Sequence, residues 1–373
     1  MPSPLLRRAR PAVLGGVLAT ALLAGFSAVE PSSATRSDPL AGAASAVLAR
    51  SSTIRCAGDA TSAPKKSALV RYASLPGNTF AEREARAAGR VLQLGRGALS
   101  LRNFTPHAAT YDGAVLGVGG GGLVGAGIGR TTVRLAAHSS TRKGTVPKRF
   151  PDTNQLNVLR VTSPAVVLRG FTLRATPQGH LYNGLRVERV KNLRADHVRV
   201  QGIPGNEHQP PGETFGINDF KTTGSRWSHI RVDGKGVGAS GFGVNSSKDI
   251  RICDAVSKNN TVAMGFAFWQ SSGIRCTDCR AWNNGFAGFN FERTTGTVVL
   301  TRPDARGNTY DMRIASDRSS ATFRIVDPKL HRGTWTVWMP KRWYGTTNKQ
   351  RRADVTLIVH GRSRPDLLRF RTY

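Results

Sequence analysis

Carboxylates are what this chain lacks most: 23 Asp and Glu stand against 54 Lys and Arg, for a net charge of +31 over 373 residues. So few acids leave little from which to build a multi-carboxylate calcium cage, so calcium-dependent chemistry is not expected. No cofactor and no metal centre is predicted. The four cysteines are too few for a disulfide-built scaffold. Beyond the first thirty residues no apolar run is long enough to span a bilayer. Hydrophobic residues, at 39%, are too many for a disordered chain. The cation surplus favours a polyanionic partner such as an acidic polysaccharide. A GC-rich coding sequence would raise Arg, Ala and Gly with no partner at all. Nothing beyond charge supports nucleic acid, which is not expected.

The first segment reads as an address. Arg7, Arg8 and Arg10 precede an apolar run from Ala12 to Phe26, and small residues follow through Ala34. Residues 1–34 thus have the three parts of a secretory signal, with a retained anchor as the competing reading. A secreted, extracellular protein follows, free of membrane after cleavage and monomeric. Residues 35–55 are Ala/Ser-rich and aperiodic, a linker that cannot offset its own ordering entropy.

Residues 56–329 carry a repeat. Leu168, Leu193, Trp227, Ile250, Ile274, Val298 and Phe323 form one apolar column, spaced mostly about 22–25 residues apart. A second column runs Leu185, Ile217, Val244, Phe266, Phe289 and Met312. Gly184, Gly216, Gly243, Gly265 and Gly288 precede its first five members, after turns such as Asn259-Asn260 and Asn283-Asn284. This period, with several short strands and no helical spacing, predicts the coils of a parallel β-helix. Like residues then ladder along the axis at about 4.8 Å per coil. The segment Thr79–Arg90, with Thr79 as N-cap and Gly89 near its end, predicts a short helix covering the open N-terminal coil. Residues 330–373 lose the period but keep strand alternation, and are expected to form a β-rich C-terminal cap. A sugar-binding appendage of Trp335, Trp338 and Trp343 is the sharper reading of that segment.

The run Gly122-Leu-Val-Gly-Ala-Gly-Ile-Gly-Arg-Thr-Thr-Val-Arg-Leu135, followed by the glycine-led coils, resembles the pectate-lyase-like right-handed parallel β-helix superfamily. The resemblance spans about residues 90–328 and implies an all-β, right-handed solenoid. It implies a ligand surface on the first parallel sheet, but no family catalytic motif is matched.

Strand alternation assigns faces to the glycine strands. Arg186, Asn218, Asn245, Ala267, Asn290 and Arg313 should form one outward column. Glu188, Phe220, Ser247, Trp269, Glu292 and Ala315 should form the next. Amides and charges beside aromatic rings suit a sugar chain, so Arg186, Glu188, Asn218, Phe220, Asn245, Trp269, Asn290 and Glu292 are the candidate binding residues. A solvated β-face is the plainer alternative. The longest turn insertion, Gln201–Thr214, brings Glu207, His208 and Glu213 toward Asn218. Asp219 falls in the inward register with Val187, Ser246, Phe268, Phe291 and Ile314, where a carboxylate needs a partner or a raised pKa. Asp219, His208, Lys221, Glu207 and Glu213 are therefore the catalytic candidates, with Lys235 a further possible base.

Arg169, Arg194, Arg251, Arg275 and Arg324 form a ladder on another face, a polyanion stripe or a solvated surface. Among Cys253, Cys276 and Cys279, a disulfide from Cys253 to one of the other two is favoured over a metal site, with Cys56 as an alternative partner. The function expected is a lyase that cleaves an acidic, uronate-containing polysaccharide by β-elimination. A glycoside hydrolase of the same fold and a non-catalytic wall-binding protein are the alternatives. A hydrolase needs two carboxyl groups about 5–10 Å apart; Glu188 and Glu292 lie about four coils, or 19 Å, apart, whereas Asp219 with Glu207 or Glu213 could form such a pair.

Overall fold

Short apolar-alternating segments joined by turns stack coil upon coil into two long parallel sheets. The computed structural model describes residues 68–78, 80–101, 115–117, 121–135, 157–163, 166–174, 183–203, 214–234, 240–261, 263–315, 321–339 and 354–372. All of them fall in one unit, Ala44–Tyr373. The proposed signal, the linker and Cys56 lie outside the described residues.

Among the described residues the first sheet has ten strands, including Asn183–Glu188, Phe215–Phe220, Ser240–Asn245, Phe266–Trp269, Ala287–Glu292 and Tyr310–Ala315. The second has sixteen and includes Val167–Arg174, Arg194–Gln201, Arg226–Asp233 and Arg251–Lys258. Each of these strands pairs in parallel with the strand one coil away, and right-handed connection is the rule for parallel strands. The fold is a right-handed parallel β-helix.

The lumen is filled by inward columns. Leu185, Ile217, Phe242, Phe266, Phe289 and Met312 stack in register and are fully buried. Phe266 and Phe289 lie 5.2 Å apart and nearly coplanar, and Phe268 and Phe291 4.8 Å apart. Each such ring contributes roughly 1.5–3 kcal/mol by burial, plus about 0.5–1.5 kcal/mol per well-placed pair. Turns are laddered too: Asn260 Nδ2 donates to Asn284 Oδ1 at 2.6 Å, and Asn284 Nδ2 to Asn308 Oδ1 at 3.0 Å.

The glycine column closes one sheet against the other. A Cβ on Gly216 would lie 2.5 Å from Val232 Cγ1 and 2.9 Å from the Gly241 carbonyl oxygen. One on Gly241 would lie 2.6 Å from the Gly265 carbonyl oxygen. The third member of the ladder is thus Gly241 and not Gly243. Ile217 accordingly pairs with Phe242, and Val244 moves to the Asp219 column in place of Ser246. Two glycines, each followed by an apolar residue, made both registers compatible with the period.

The other expected column also shifts. Leu168 and Trp227 pair with Ala195 and Ile252, two residues along from the stack that holds Leu193, Ile250, Ile274 and Val298. Arg169 consequently pairs with Asp196, while the arginine ladder reads Arg194, Arg226, Arg251, Arg275, then Val299 and Arg324.

At the N-terminal end the helix Phe80–Ala87 buries Phe80, Glu84 and Ala87, with Phe80 stacked on Tyr72 at 5.8 Å. Its expected cap, Thr79, lies outside the described residues. At the other end the period does not stop at 329. Trp335–Met339 extends the first sheet and Asp354–Val359 the second, both in parallel, and Leu368–Thr372 adds one more strand. The expected β-rich C-terminal segment is thus built of strands added to the two sheets.

Candidate functional site

The outer face of the first sheet is the candidate site. Its first outward column reads Arg160, Arg186, Asn218, Gly243, Ala267, Asn290 and Arg313. The second reads Glu188, Phe220, Asn245, Trp269, Glu292 and Ala315. Asn245 therefore belongs to the Glu188 column and Ser247 to the following turn, as the Gly241 register requires.

A charged cluster occupies the N-terminal part of this face. Glu188 Oε2 accepts from Arg160 at 2.9 Å and from Arg186 at 3.1 Å. Burial works to raise the Glu188 pKa, but the guanidinium groups of Arg186 and Arg160 outweigh it and hold it below the ordinary glutamate value. Arg186 also lies over the Phe220 ring at 4.5 Å, and Lys221 Nζ lies 5.0 Å from the same ring. One coil on, Asn245 Nδ2 donates to Asn218 Oδ1 at 2.8 Å. Arg189 and Lys221 sit at equivalent corner positions in consecutive coils, with φ of 56° and 53°, and both are exposed.

Further along, Trp269 is 37% exposed, the exposed large hydrophobic side chain among the described residues. It stands between Asn245 and Glu292 in the second column. Two coils beyond, in the first column, Arg313 donates to Asn290 at 3.0 Å and packs over Trp338, which stacks on Tyr310 at 4.7 Å. Of the tryptophans expected to form a sugar-binding appendage, only Trp338 joins this face. Trp335 is buried in the lumen against Phe289, and Trp343 lies outside the described residues.

Asp219 is behind the sheet. It is fully buried, and the Thr222 hydroxyl and the Trp227 indole N–H, the latter at 2.7 Å, converge on its two oxygens. Burial lifts its pKa to about 6 against the pull of the Thr222, Trp227 and Ser225 hydrogen bonds. Its donors come from the turn and from the neighbouring strand, not from Lys221 or His229. An inward carboxylate so enclosed cannot touch a polymer on the outer face, so Asp219 anchors the turn and is not a catalytic group. Glu207, His208, Glu213 and Lys235 lie outside the described residues.

Arg160 is the member of this cluster that sequence reasoning missed. Leu159-Arg160-Val161 repeats Leu185-Arg186-Val187, a signal that was available one coil before the column began. The disulfide joins Cys276 to Cys279. Cys276 stacks inward on Ile252 whereas Cys253 stacks on Thr277, so the register sets no cysteine directly above Cys253. Cys253 is itself disulfide-bonded, to a partner outside the described residues. On this face the described carboxylates form no metal-ligand group; the one such group among described residues, Asp196, His197 and His229, lies on the second sheet.

The parallel β-helix expected from the coil period is thus the fold observed. No protein-family model matches the sequence, and no curated protein matches it. Among solved structures, similarity extends to pectin methylesterase PemA from Erwinia chrysanthemi, with 12% identity, a TM-score of 0.42, and coverage of 83% of this chain and 94% of that one. The A-module of the Azotobacter vinelandii mannuronan C-5 epimerase AlgE4 matches at 12% identity and a TM-score of 0.37, over 82% of this chain and 98% of that one. Pectate lyase Pel9A matches at 13% identity and a TM-score of 0.34, over 78% and 76%. Likeness at this level concerns the fold and leaves the chemistry to the site.

Proposed function

We propose that this is an extracellular protein whose first-sheet outer face binds an acidic polysaccharide laid along the helix axis and cleaves it by β-elimination. The observation that carries the reading is Trp269, an exposed indole on an outward column shared with Phe220, Asn245 and Glu292. An aromatic surface about 10 Å from a second ring, with an amide between them, suits stacking of sugar rings and hydrogen bonding of their hydroxyls. Arg189 supplies a cation and Lys221 an amine, one coil apart at the edge of the same face. In elimination a base removes the proton alpha to the uronate carboxylate. The C–H electron pair becomes the C4=C5 double bond, and the C4–O bond breaks with its pair going to the leaving oxygen, which is protonated from solvent. Lys221 is assigned the base, and Arg189 offsets the charge that develops on the carboxylate. Hydrolysis is the weaker reading, because Glu188 is tied up by arginines and the next described carboxylate on the face, Glu292, is about 19 Å away.

The test is ultraviolet absorbance of unsaturated uronate with the purified protein on pectate, alginate, hyaluronan and chondroitin sulfate, with and without chelator. The expected rise is lost in Lys221→Ala and reduced at least about tenfold in Trp269→Ala, the cost of about one stacking contact. Flat traces on all four would remove the elimination step. Affinity electrophoresis on the same polymers then decides binding alone, and Trp269→Ala running like wild type would remove the surface as well.

A further inference from the structure

A second histidine–aspartate cluster lies on the second sheet, away from the face just described. The strands there bend at one corner residue per coil, and the residues at this corner, Gly170, His197, His229, Asp254, Asp278 and Arg302, all have φ between 46° and 70°. A left-handed residue turns its side chain out of the strand alternation, so consecutive coils stack corner side chains on one another. His197 and His229 stack in this way, with ring centroids 4.3 Å apart. Beneath them is Asp196, whose carboxylate is almost wholly buried.

Three donors crowd one oxygen of that carboxylate. His197 Nδ1 and His229 Nδ1 each lie 2.8 Å from Asp196 Oδ1, and Ser228 Oγ donates to the same atom at 2.9 Å. The other oxygen faces Arg169 Nε at 3.5 Å. A carboxylate oxygen has two lone pairs, so three converging hydrogens compete for them. A cation in place of the two imidazole hydrogens resolves the conflict, since it accepts a lone pair from each Nδ1 and one from Oδ1. The three ligand atoms already lie within 4.8 Å of one another. Donors around tetrahedral zinc stand roughly 3.3 Å apart, so each Nδ1–Oδ1 contact must lengthen by about 0.5 Å, which half-exposed imidazoles are free to do. Arg169 on the far oxygen would orient the carboxylate as an outer-shell partner.

The surroundings suit an ion with an open position. Gly170 occupies the corner one coil earlier and carries no side chain. Beside it lies a cavity of about 370 Å³ lined by Val124, Ala126, Ile128, Arg169 and His197 among others. On the other side Asp254 is held by Arg231 at 2.7 Å and Arg280 at 2.9 Å, which closes the cluster at three ligands. Two imidazoles and one carboxylate select first-row divalent ions that favour nitrogen, not calcium or magnesium. We infer that Asp196, His197 and His229 form a binding site for such an ion, zinc being the reference case, with its remaining coordination position toward this cavity. The inference is independent of the proposed polysaccharide face and departs from the expectation of no metal.

The test is calorimetric titration of the chelator-stripped, full-length protein with Zn²⁺, with Ca²⁺ alongside and Co²⁺ used for its visible ligand-field spectrum. One equivalent of Zn²⁺ is expected, with a cobalt spectrum of a mixed nitrogen–oxygen site and no Ca²⁺ binding. His197→Asn and His229→Asn, which tolerate the left-handed corner, should each weaken Zn²⁺ by more than the about 10–100-fold that loss of an outer-shell partner costs. His360→Asn, at a left-handed position near the C-terminal end, should bind like wild type. Absence of stoichiometric Zn²⁺ binding by the wild-type chain would overturn the site without any variant. So would full retention of binding in both substituted chains.

Discussion

The two sheets of this solenoid share one inward chemistry and differ in what they show to the outside. Inside, each strand contributes an apolar residue per coil to a continuous stack. Outside, the first sheet carries polar groups that are nonetheless buried: Arg186 and Asn218 are each 3% exposed and Asn290 4%. On the second sheet, Arg194, Arg251, Arg275 and Arg324 stand out in solvent. Buried polar groups must be satisfied, and on the first sheet they satisfy one another through Glu188, the Asn218–Asn245 pair and the Arg313–Asn290 bond. Exposed arginines carry no such requirement. The difference teaches that alternation along a strand assigns faces, whereas burial on the outward face separates an organised surface from a solvated one.

The largest expected effect breaks the seam between the sheets. Gly241→Val places a branched side chain where even a Cβ would stand 2.6 Å from the Gly265 carbonyl oxygen. A loss on the order of 4 kcal/mol or more follows, read as failure of cooperative unfolding in urea. A near-normal urea midpoint would mean that the glycine ladder is not a packing requirement.

Next comes the buried acid behind the first sheet. Asp219 has a folded pKa raised to about 6, so the folded chain holds this proton more tightly than the unfolded one. Its contribution is complete below an unfolded pKa of about 3.9 and is lost as pH rises through about 6, roughly 3 kcal/mol in all. Asp219→Asn keeps an acceptor for Trp227 without the charge, and its amide N–H donates to the Thr222 hydroxyl in place of the bond Thr222 donates in the wild type. Relative to wild type, it should gain stability between pH 4 and pH 6 by about that amount and then level off. Parallel urea midpoints across this range would exclude titration of Asp219. Smaller again is Glu188→Gln, which leaves the guanidinium groups of Arg160 and Arg186 without their carboxylate. About 2 kcal/mol is expected from thermal unfolding at neutral pH, because Arg186 is nearly enclosed. No change would place this cluster with the solvated surface.

How legible all this was depends on which period a residue obeys. The glycine-led strands and the Leu193, Ile250, Ile274 and Val298 stack repeat closely enough to define the coil from sequence. The burial of Asp219 followed from alternation alone. Register failed where two residues satisfied it equally, as with Gly241 and Gly243. The C-terminal coils were hidden because a long segment separates Trp335–Met339 from Asp354–Val359. The His197–His229 stack escaped for another reason. A left-handed corner inserts one residue into a period of two, so neither neighbouring strand predicts where its side chain points. The echo of Asp196-His-Val-Arg-Val200 in Ser228-His-Ile-Arg-Val232 was visible, but its meaning required the corner.

The smallest expected effect lies on the arginine ladder and sharpens the comparison most. Arg194 and Arg275 flank Arg226 and Arg251 in four consecutive coils. Like charges about 4.8 Å apart repel by about 1 kcal/mol at most when solvated. Arg194→Gln with Arg275→Gln should therefore leave stability within about 0.5 kcal/mol of wild type. Any change should be a slight gain in dilute buffer that vanishes near 1 M salt, where the screening length falls to about 3 Å. The same double substitution should lower the salt needed to elute the protein from a sulfated-polymer resin while leaving Trp269-dependent polysaccharide binding intact. A stability loss above about 1 kcal/mol would show that these arginines are held as firmly as Arg186, and the two outer faces would then differ only in exposure.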